Sequence, residues 1–268
     1  MSILDTIVAQ KRVEVGLLPA GPVAAFQLRQ AIQQRGSGIR DFTSALVTPR
    51  RGNIALIAEV KKASPSLGVI CPDFDPVRIA KEYEAAGASC LSVLTDQRFF
   101  QGSLEYLKAI REAVALPLLR KDFIIDERQI LEAIEWGADA ILLIVSILSD
   151  EQLSHFHSLA DAAGLTALVE VHDEAELERA LRCGARVVGV NNRDLKTFQV
   201  NLGTTETLAK RLFAASDSTR RILVGESGIH QRADVERLRS AGCHAILVGE
   251  SLMKSGHISA KVAELIQA

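Results

Sequence analysis

The stretch Ile54-Ala55-Leu56-Ile57-Ala58-Glu59-Val60-Lys61-Lys62-Ala63-Ser64-Pro65-Ser66 opens with five apolar residues and then turns abruptly to charge. The apolar run suits a buried strand. Side chains alternate along a strand, so Glu59 and Lys61 share one face and Lys62 takes the other. An acid and a base projecting together from the carboxyl end of a buried strand is where α/β enzymes hold their chemistry. One such strand alone reads as well as a strand leaving the core with its charges solvated. Recurrence decides between the two.

From Asn53 onward the same grammar returns eight times: an apolar run ending in a polar residue, a loop, then an amphipathic helix. The runs are Ala55–Glu59, Leu91–Thr95, Pro117–Lys121, Ala140–Ser146, Ala167–Glu170, Val187–Asn191, Ile222–Glu226 and Ala245–Glu250. Between them lie helices over Val77–Ala86, Leu104–Ala113, Glu127–Trp136, Glu151–Ala163, Glu174–Arg182, Thr204–Ala214 and Arg232–Ser240. Gly87, Gly137, Gly184 and Gly242 sit at helix-to-strand joints, where glycine supplies a left-handed cap. Asp75-Pro76 is the matching start signal, a cap followed by proline at the first helical position. This alternation predicts an α/β fold, a closed (β/α)8 TIM barrel. No G-x-G-x-x-G follows the first strand, as a doubly wound dinucleotide fold would more often show.

Residues 1–50 follow a different pattern. Ile3, Leu4, Ile7 and Val8 mark one face of a short helix. Pro22 is expected to open a second helix through Val23, Phe26 and Ile32, Gly36-Ser37-Gly38 to break it, and Asp41 to cap another turn through Leu46. The reading is one domain, with an N-terminal helical extension over 1–50 packed on a barrel over 53–268.

Composition supports this. Of 268 residues 48% are apolar but only 4% aromatic, so the core rests on aliphatic packing. The net charge of −2 gives no electrostatic reason to expect nucleic acid or an anionic membrane. Cys71, Cys90, Cys183 and Cys243 are scattered without a C-x-x-C, which suits reduced thiols. The start carries Asp5 and no long apolar core, unlike a signal peptide, and the greasy run from Ala140 is too short to span a bilayer. A cytoplasmic monomer is expected. The six histidines show no metal spacing and are read as surface or packing residues; no metal, flavin or nucleotide motif is present.

In such a barrel the strand ends converge on one mouth, which gathers Glu59, Lys61, Thr95, Lys121, Ser146, Glu170, Asn191, Glu226 and Glu250. Crowded charges are costly to desolvate unless paired, so two lysines among carboxylates point to acid–base chemistry. Arg193 and Asp194, just past Asn191, suggest an anion clamp. Gly225-Glu226-Ser227-Gly228 and Gly249-Glu250-Ser251 follow the seventh and eighth strands, the common phosphate site of this fold. The long first loop, Lys62 to Phe74, reads as a lid or binding loop that brings Ser64 and Ser66 toward the same phosphate.

Taken in order, several words resemble one family. They are Glu59-Val60-Lys61-Lys62-Ala63-Ser64-Pro65-Ser66, Leu94-Thr95-Asp96 with Phe99-Phe100-Gln101-Gly102-Ser103, and Leu119-Arg120-Lys121-Asp122-Phe123. Val169-Glu170-Val171-His172, Gly189-Val190-Asn191-Asn192-Arg193-Asp194-Leu195, Gly225-Glu226-Ser227-Gly228 and Gly249-Glu250-Ser251-Leu252-Met253 complete the set. Across nearly the whole chain they resemble indole-3-glycerol phosphate synthases, in the form with no fused isomerase domain. Leu67 and Cys71 depart from the basic residues that family often has in the first loop.

The resemblance implies a small phosphorylated substrate, 1-(2-carboxyphenylamino)-1-deoxyribulose 5-phosphate, and no cofactor. Ring closure, loss of CO2 and loss of water would follow in sequence. It implies Lys121 as general acid, Glu170 and Lys61 as the acid–base pair of dehydration, and Glu59 holding the lysines. Asn191, Arg193, Glu226, Phe100 and Phe123 would bind the substrate, with Ser64, Ser227, Gly228, Gly249 and Glu250 around its phosphate. Two rivals remain. The aldose–ketose isomerase of the preceding step resembles a Cys/Asp pair where this chain has Glu59 and Glu170, and a barrel that merely binds a phosphorylated ligand would not require Lys61, Lys121 and Glu170 together.

Overall fold

Eight parallel strands close on themselves in a computed structural model that describes residues 2–194, 197–214 and 221–267; Leu195 lies outside them. They are β1 (Ala55–Val60), β2 (Cys90–Leu94), β3 (Leu118–Lys121), β4 (Ala140–Ile144), β5 (Thr166–Val171), β6 (Val187–Asn191), β7 (Ile222–Glu226) and β8 (Ala245–Val248). Each pairs with its neighbours in sequence, and β1 pairs with β8 to complete the barrel. Helices Leu104–Ala113, Glu174–Arg182 and Arg232–Ser240 fall on their predicted bounds, and the others shift by a residue or so. Gly87, Gly137, Gly184 and Gly242 all have φ between 85° and 105°, the left-handed turn that sends each helix back to the sheet. Asp75 caps its helix by accepting from the Val77 and Arg78 amides.

Period two sorts the strands into inward and outward residues. Ala55, Ile57, Cys90, Leu119, Ala140, Leu142, Ile144, Leu168, Val187, Ile222, Val224, Ala245 and Leu247 form one packed inner cluster. The alternate positions, Leu56, Ala58, Leu91, Val93, Leu118, Val169 and Val188 among them, pack with the helices. Continuing the inward parity up each strand gives Glu59 and Lys61, Lys121, Glu170, Asn191, Glu226 and Gly249. On β2 and β4 the last inward residues are Leu94 and Ile144, so those two strands bring apolar surface to the mouth.

Parity also corrects two expectations. Thr95 falls on the outward side: its hydroxyl donates to Asp122 at 2.6 Å, and Thr95 does not line the cavity at the mouth. Ser146 lies in a short 3-10 turn after β4 and is exposed.

The extension wraps both ends of the barrel. Helix Phe42–Val47, capped by Asp41 as expected, places Phe42 and Leu46 in the inner cluster. Helix Ala25–Gln34 starts later than the sequence suggested, leaving Pro22 outside. The Val23 amide donates to Glu127 Oε1 at 2.7 Å, which holds this segment extended before the Ala24 cap. Helix Ile3–Val15 is tied down by Lys11, whose ammonium meets Asp122 at 2.9 Å and Asp96 at 3.1 Å. Val13, Leu17 and Phe26 are exposed. No helix of the described residues is long and apolar enough to cross a membrane.

Candidate active site

The inward parity delivers charge to one place. Lys121 Nζ lies 3.4 Å from Glu170 Oε2 and 3.6 Å from Glu226 Oε2, and Lys61 Nζ lies 2.7 Å from Glu59 Oε2. Strand register explains the meeting: Asn191 stands beside Glu226, and Glu170 beside Gly189. Asn191 spans the gap, with Nδ2 donating to Glu170 Oε1 at 3.1 Å while its Oδ1 accepts from the Arg193 amide. Two glycines give the carboxylates room. A Cβ on Gly189 would stand 2.1 Å from Glu226 Oε1, and one on Gly249 2.2 Å from Glu59 Oε2.

Three buried carboxylates share two ammonium groups, so they cannot all be equally ionised. Burial opposes charge on Glu59, but Lys61 and Lys121 outweigh it and hold its carboxyl below the usual range. Burial opposes charge on Glu170 as well; Lys121, His172 and Asn191 overcome it and hold this group well below that range. For Lys121 burial disfavours the ammonium, and Glu170, Glu226 and Glu59 reverse the balance and raise its pKa. Glu226 goes the other way. Burial and the charge of Glu170 push it up to about 8, against the pull of Lys121. The site therefore holds proton donors and proton acceptors side by side at neutral pH.

Of the residues singled out in the sequence, Lys121, Glu170, Lys61, Glu59, Asn191, Arg193, Glu226, Phe100, Phe123, Ser64, Ser227, Gly228, Gly249 and Glu250 line this one cavity, and Thr95, Ser146 and Asp194 do not. Phe100 and Phe123 tilt together with ring centroids 6.0 Å apart. Ser64 enters from a small hairpin, Ala63–Ser64 against Gly68–Val69, that shapes the first loop. Leu67 is exposed in the turn of that hairpin, and the Cys71 thiol donates to the Asp73 carbonyl instead of lining the cavity.

Arg193 and Asp194 face different partners. Its guanidinium donates to Glu250 Oε2 at 3.3 Å, while Asp194 accepts from the Thr197 amide in a turn. Glu250 begins the short helix Glu250–Lys254, two residues earlier than expected, and its side chain also takes the Lys254 ammonium.

The sequence reading missed the conformation of the Ser227-Gly228 turn and several contributors to the site. Ser227 (φ 64°) and Gly228 (φ 76°) are consecutive left-handed residues, a conformation unusual for serine. Asn192 holds them there, donating from Nδ2 to the carbonyls of Glu226 (2.9 Å) and Ser227 (3.3 Å) while its Oδ1 accepts from Thr205. Ile3, Leu4 and Ile7 of the extension form part of the cavity wall, with Leu94, Leu142, Ile144 and Leu247. His172, read as packing, stands with Nε2 3.3 Å from Glu170 Oε1. Its position two residues beyond Glu170 was the available signal. Among the described residues no group of three or more His, Cys, Asp or Glu is arranged to hold a metal ion.

Known proteins resemble the chain over nearly its whole length. A family model described as indole-3-glycerol phosphate synthase matches residues 4–265. An indole-3-glycerol phosphate synthase of Acetivibrio thermocellus is 49% identical over 263 residues, covering 98% of each chain. One from Neisseria meningitidis serogroup C is 48% identical over 264 residues, again covering 98% of each. Among solved structures, thiamine phosphate pyrophosphorylase from Pyrococcus furiosus superposes with a TM-score of 0.57 at 17% identity, over 80% of this chain and 95% of that one. At that identity the likeness is one of fold alone.

Proposed function

The chain belongs to the indole-3-glycerol phosphate synthase family, carboxy-lyases of tryptophan biosynthesis, and on that premise we propose how its own residues divide the chemistry. The substrate is 1-(2-carboxyphenylamino)-1-deoxyribulose 5-phosphate. The ring carbon that bears the carboxylate attacks the ketone of the sugar chain. Lys121 gives its proton to the oxygen that becomes the hydroxyl, so no free alkoxide has to form. Loss of CO2 from the same ring carbon returns the electron pair and restores aromaticity, and this needs no external electron sink. Dehydration follows. The nitrogen lone pair expels the hydroxyl as water, with Lys61 supplying the proton, and Glu170 removes the proton whose loss completes the indole double bond.

Glu59 holds Lys61 at 2.7 Å and feeds the same proton traffic. Asn191 and Glu226 take sugar hydroxyls. Arg193, released from Glu250, balances the carboxylate of the substrate together with Lys61. Phe100 and Phe123 face the anthranilate ring. Ser64, Ser227, Gly228, Gly249 and Glu250 surround the phosphate, with backbone N–H groups of the last four as donors. We assign the enzyme to the cytoplasm and to a monomeric state.

The observation that carries this reading is the contact of Lys121 with Glu170, an ammonium and a low-pKa carboxylate facing one cavity. The test is direct. Purified chain and substrate, with no added cofactor, should generate indole fluorescence with release of CO2. Substrate binding without fluorescence would instead leave a barrel that binds and does not turn over.

A further inference from the structure

His172 lies two residues beyond Glu170, in the bend that follows β5. Its ring stands between two carboxylates: Nδ1 lies 2.9 Å from Glu176 Oε2, and Nε2 lies 3.3 Å from Glu170 Oε1. The same Glu176 oxygen accepts from the His172 backbone amide at 2.9 Å, so one carboxylate fixes both the main chain and the ring. Neutral imidazole has a single N–H and can donate to one side only. Nδ1 is hydrogen-bonded to Glu176, whereas Nε2 makes no hydrogen bond and meets Glu170 as a charge contact, which the imidazolium alone supplies. Burial disfavours that cation, but Glu170 and Glu176 outweigh it and bring its pKa up to about 10.

We propose that His172, clamped by Glu176, is a positioning residue that keeps Glu170 ionised and presents one chosen oxygen to the substrate. His172 does not line the cavity, so it acts through Glu170. With His172 and Asn191 both on Oε1, Oε2 is the oxygen turned to Lys121 and to proton transfer. Charged neighbours make the device necessary. Glu170 is surrounded by Lys121, Glu226 and Glu59, and a single ammonium at 3.4 Å has to serve Glu226 at 3.6 Å as well. The second cation, held by Glu176 and outside the cavity lining, removes that competition. Glu176 lies in the first turn of helix Glu174–Arg182 and is the counter-charge of the ring.

This rests on Glu170 being the proton acceptor, and the experiment separates the two claims. The pH profile of kcat is measured for wild type, His172→Gln, Glu176→Gln and Glu170→Gln. A cation at this distance shifts a carboxylate by about one unit or more, so in His172→Gln the acidic limb should move up by at least about one pH unit, with KM nearly unchanged. A nitrogen NMR titration of the wild-type ring should show it doubly protonated through pH 8, and Glu176→Gln should bring its titration down. An unmoved acidic limb beside an inactive Glu170→Gln variant removes His172 alone, as does a ring that is neutral at pH 7. Full activity in Glu170→Gln removes the proton-acceptor role, and the proposal with it.

Discussion

Lys121 Nζ stands 3.6 Å from Glu226 Oε2, and that carboxylate is the one of the three around the lysines whose pKa rises. The opposite shifts of Glu170 and Glu226 share a cause. Each is buried and each feels Lys121, but the ammonium is closer to Glu170, which also has His172 and Asn191. Once Glu170 is ionised, its charge works against ionising Glu226. Two carboxyl groups of one composition thus acquire different protonation states from their partners alone.

Glu226→Gln should reveal this in stability. A carboxyl whose pKa is higher folded than unfolded takes up a proton on folding. Its stabilising contribution is full below the unfolded value and is lost as pH rises toward about 8. The amide removes that loss. Urea denaturation should therefore show little difference near pH 4 and a growing advantage for the variant toward pH 8, by up to about 1.4 kcal/mol per pH unit. A gap independent of pH would mean that Glu226 is ionised in the folded protein.

Lys121→Met and Glu170→Gln probe the chemistry. Each should lower kcat by about 10²-fold or more while KM changes little, because a lost proton donor or acceptor acts in the transition state. Steady-state fluorescence kinetics read both constants. A change confined to KM would assign the residue to binding and take it out of proton transfer.

Much of this was legible in the residues, and the failures have physical causes. The eight strands were readable because each apolar run ends in a polar residue at a helix-closing rhythm. The site followed from applying that rule to β1, β3, β5, β6 and β7. It misplaced Thr95 because the rule used only where a run ends, whereas parity places its side chain toward Asp122. It passed over His172 because that residue lies two residues past the end of the run. Asn192 and Lys11 were invisible for another reason: their partners are 34 and more than 80 residues away, and no local pattern encodes such pairings.

Gly189→Ala tests whether the strand glycines serve the carboxylates. The added Cβ would approach Glu226 Oε1 at 2.1 Å, so the carboxyl must leave its place above β6. Gly189 lies within a strand and has ordinary β backbone, so the fold should persist while kcat falls about tenfold or more. Circular dichroism and kinetics on the same preparation decide it. Unchanged kcat would show that the position of Glu226 does not matter to turnover.

Lys11→Met tests the anchor of the extension. The Lys11 side chain is only 5% exposed, and it neutralises Asp96 and Asp122, which are 0% and 2% exposed. Asp122 keeps Arg120 at 3.1 Å, but Asp96 Oδ2 makes no hydrogen bond of its own. Removing the cation leaves buried charge uncompensated, which typically costs about 3–5 kcal/mol. Burial opposes ionisation of Asp122, but Arg120 and Lys11 hold its pKa below the usual range, so their contribution is present above the unfolded value and lost as pH falls. The penalty in Lys11→Met should accordingly be large at pH 7 and shrink below pH 4 in urea titrations. KM should rise too, since Ile3, Leu4 and Ile7 on the same helix line the cavity. A variant as stable as wild type at pH 7 would mean that apolar packing, and not Lys11, holds this helix in place.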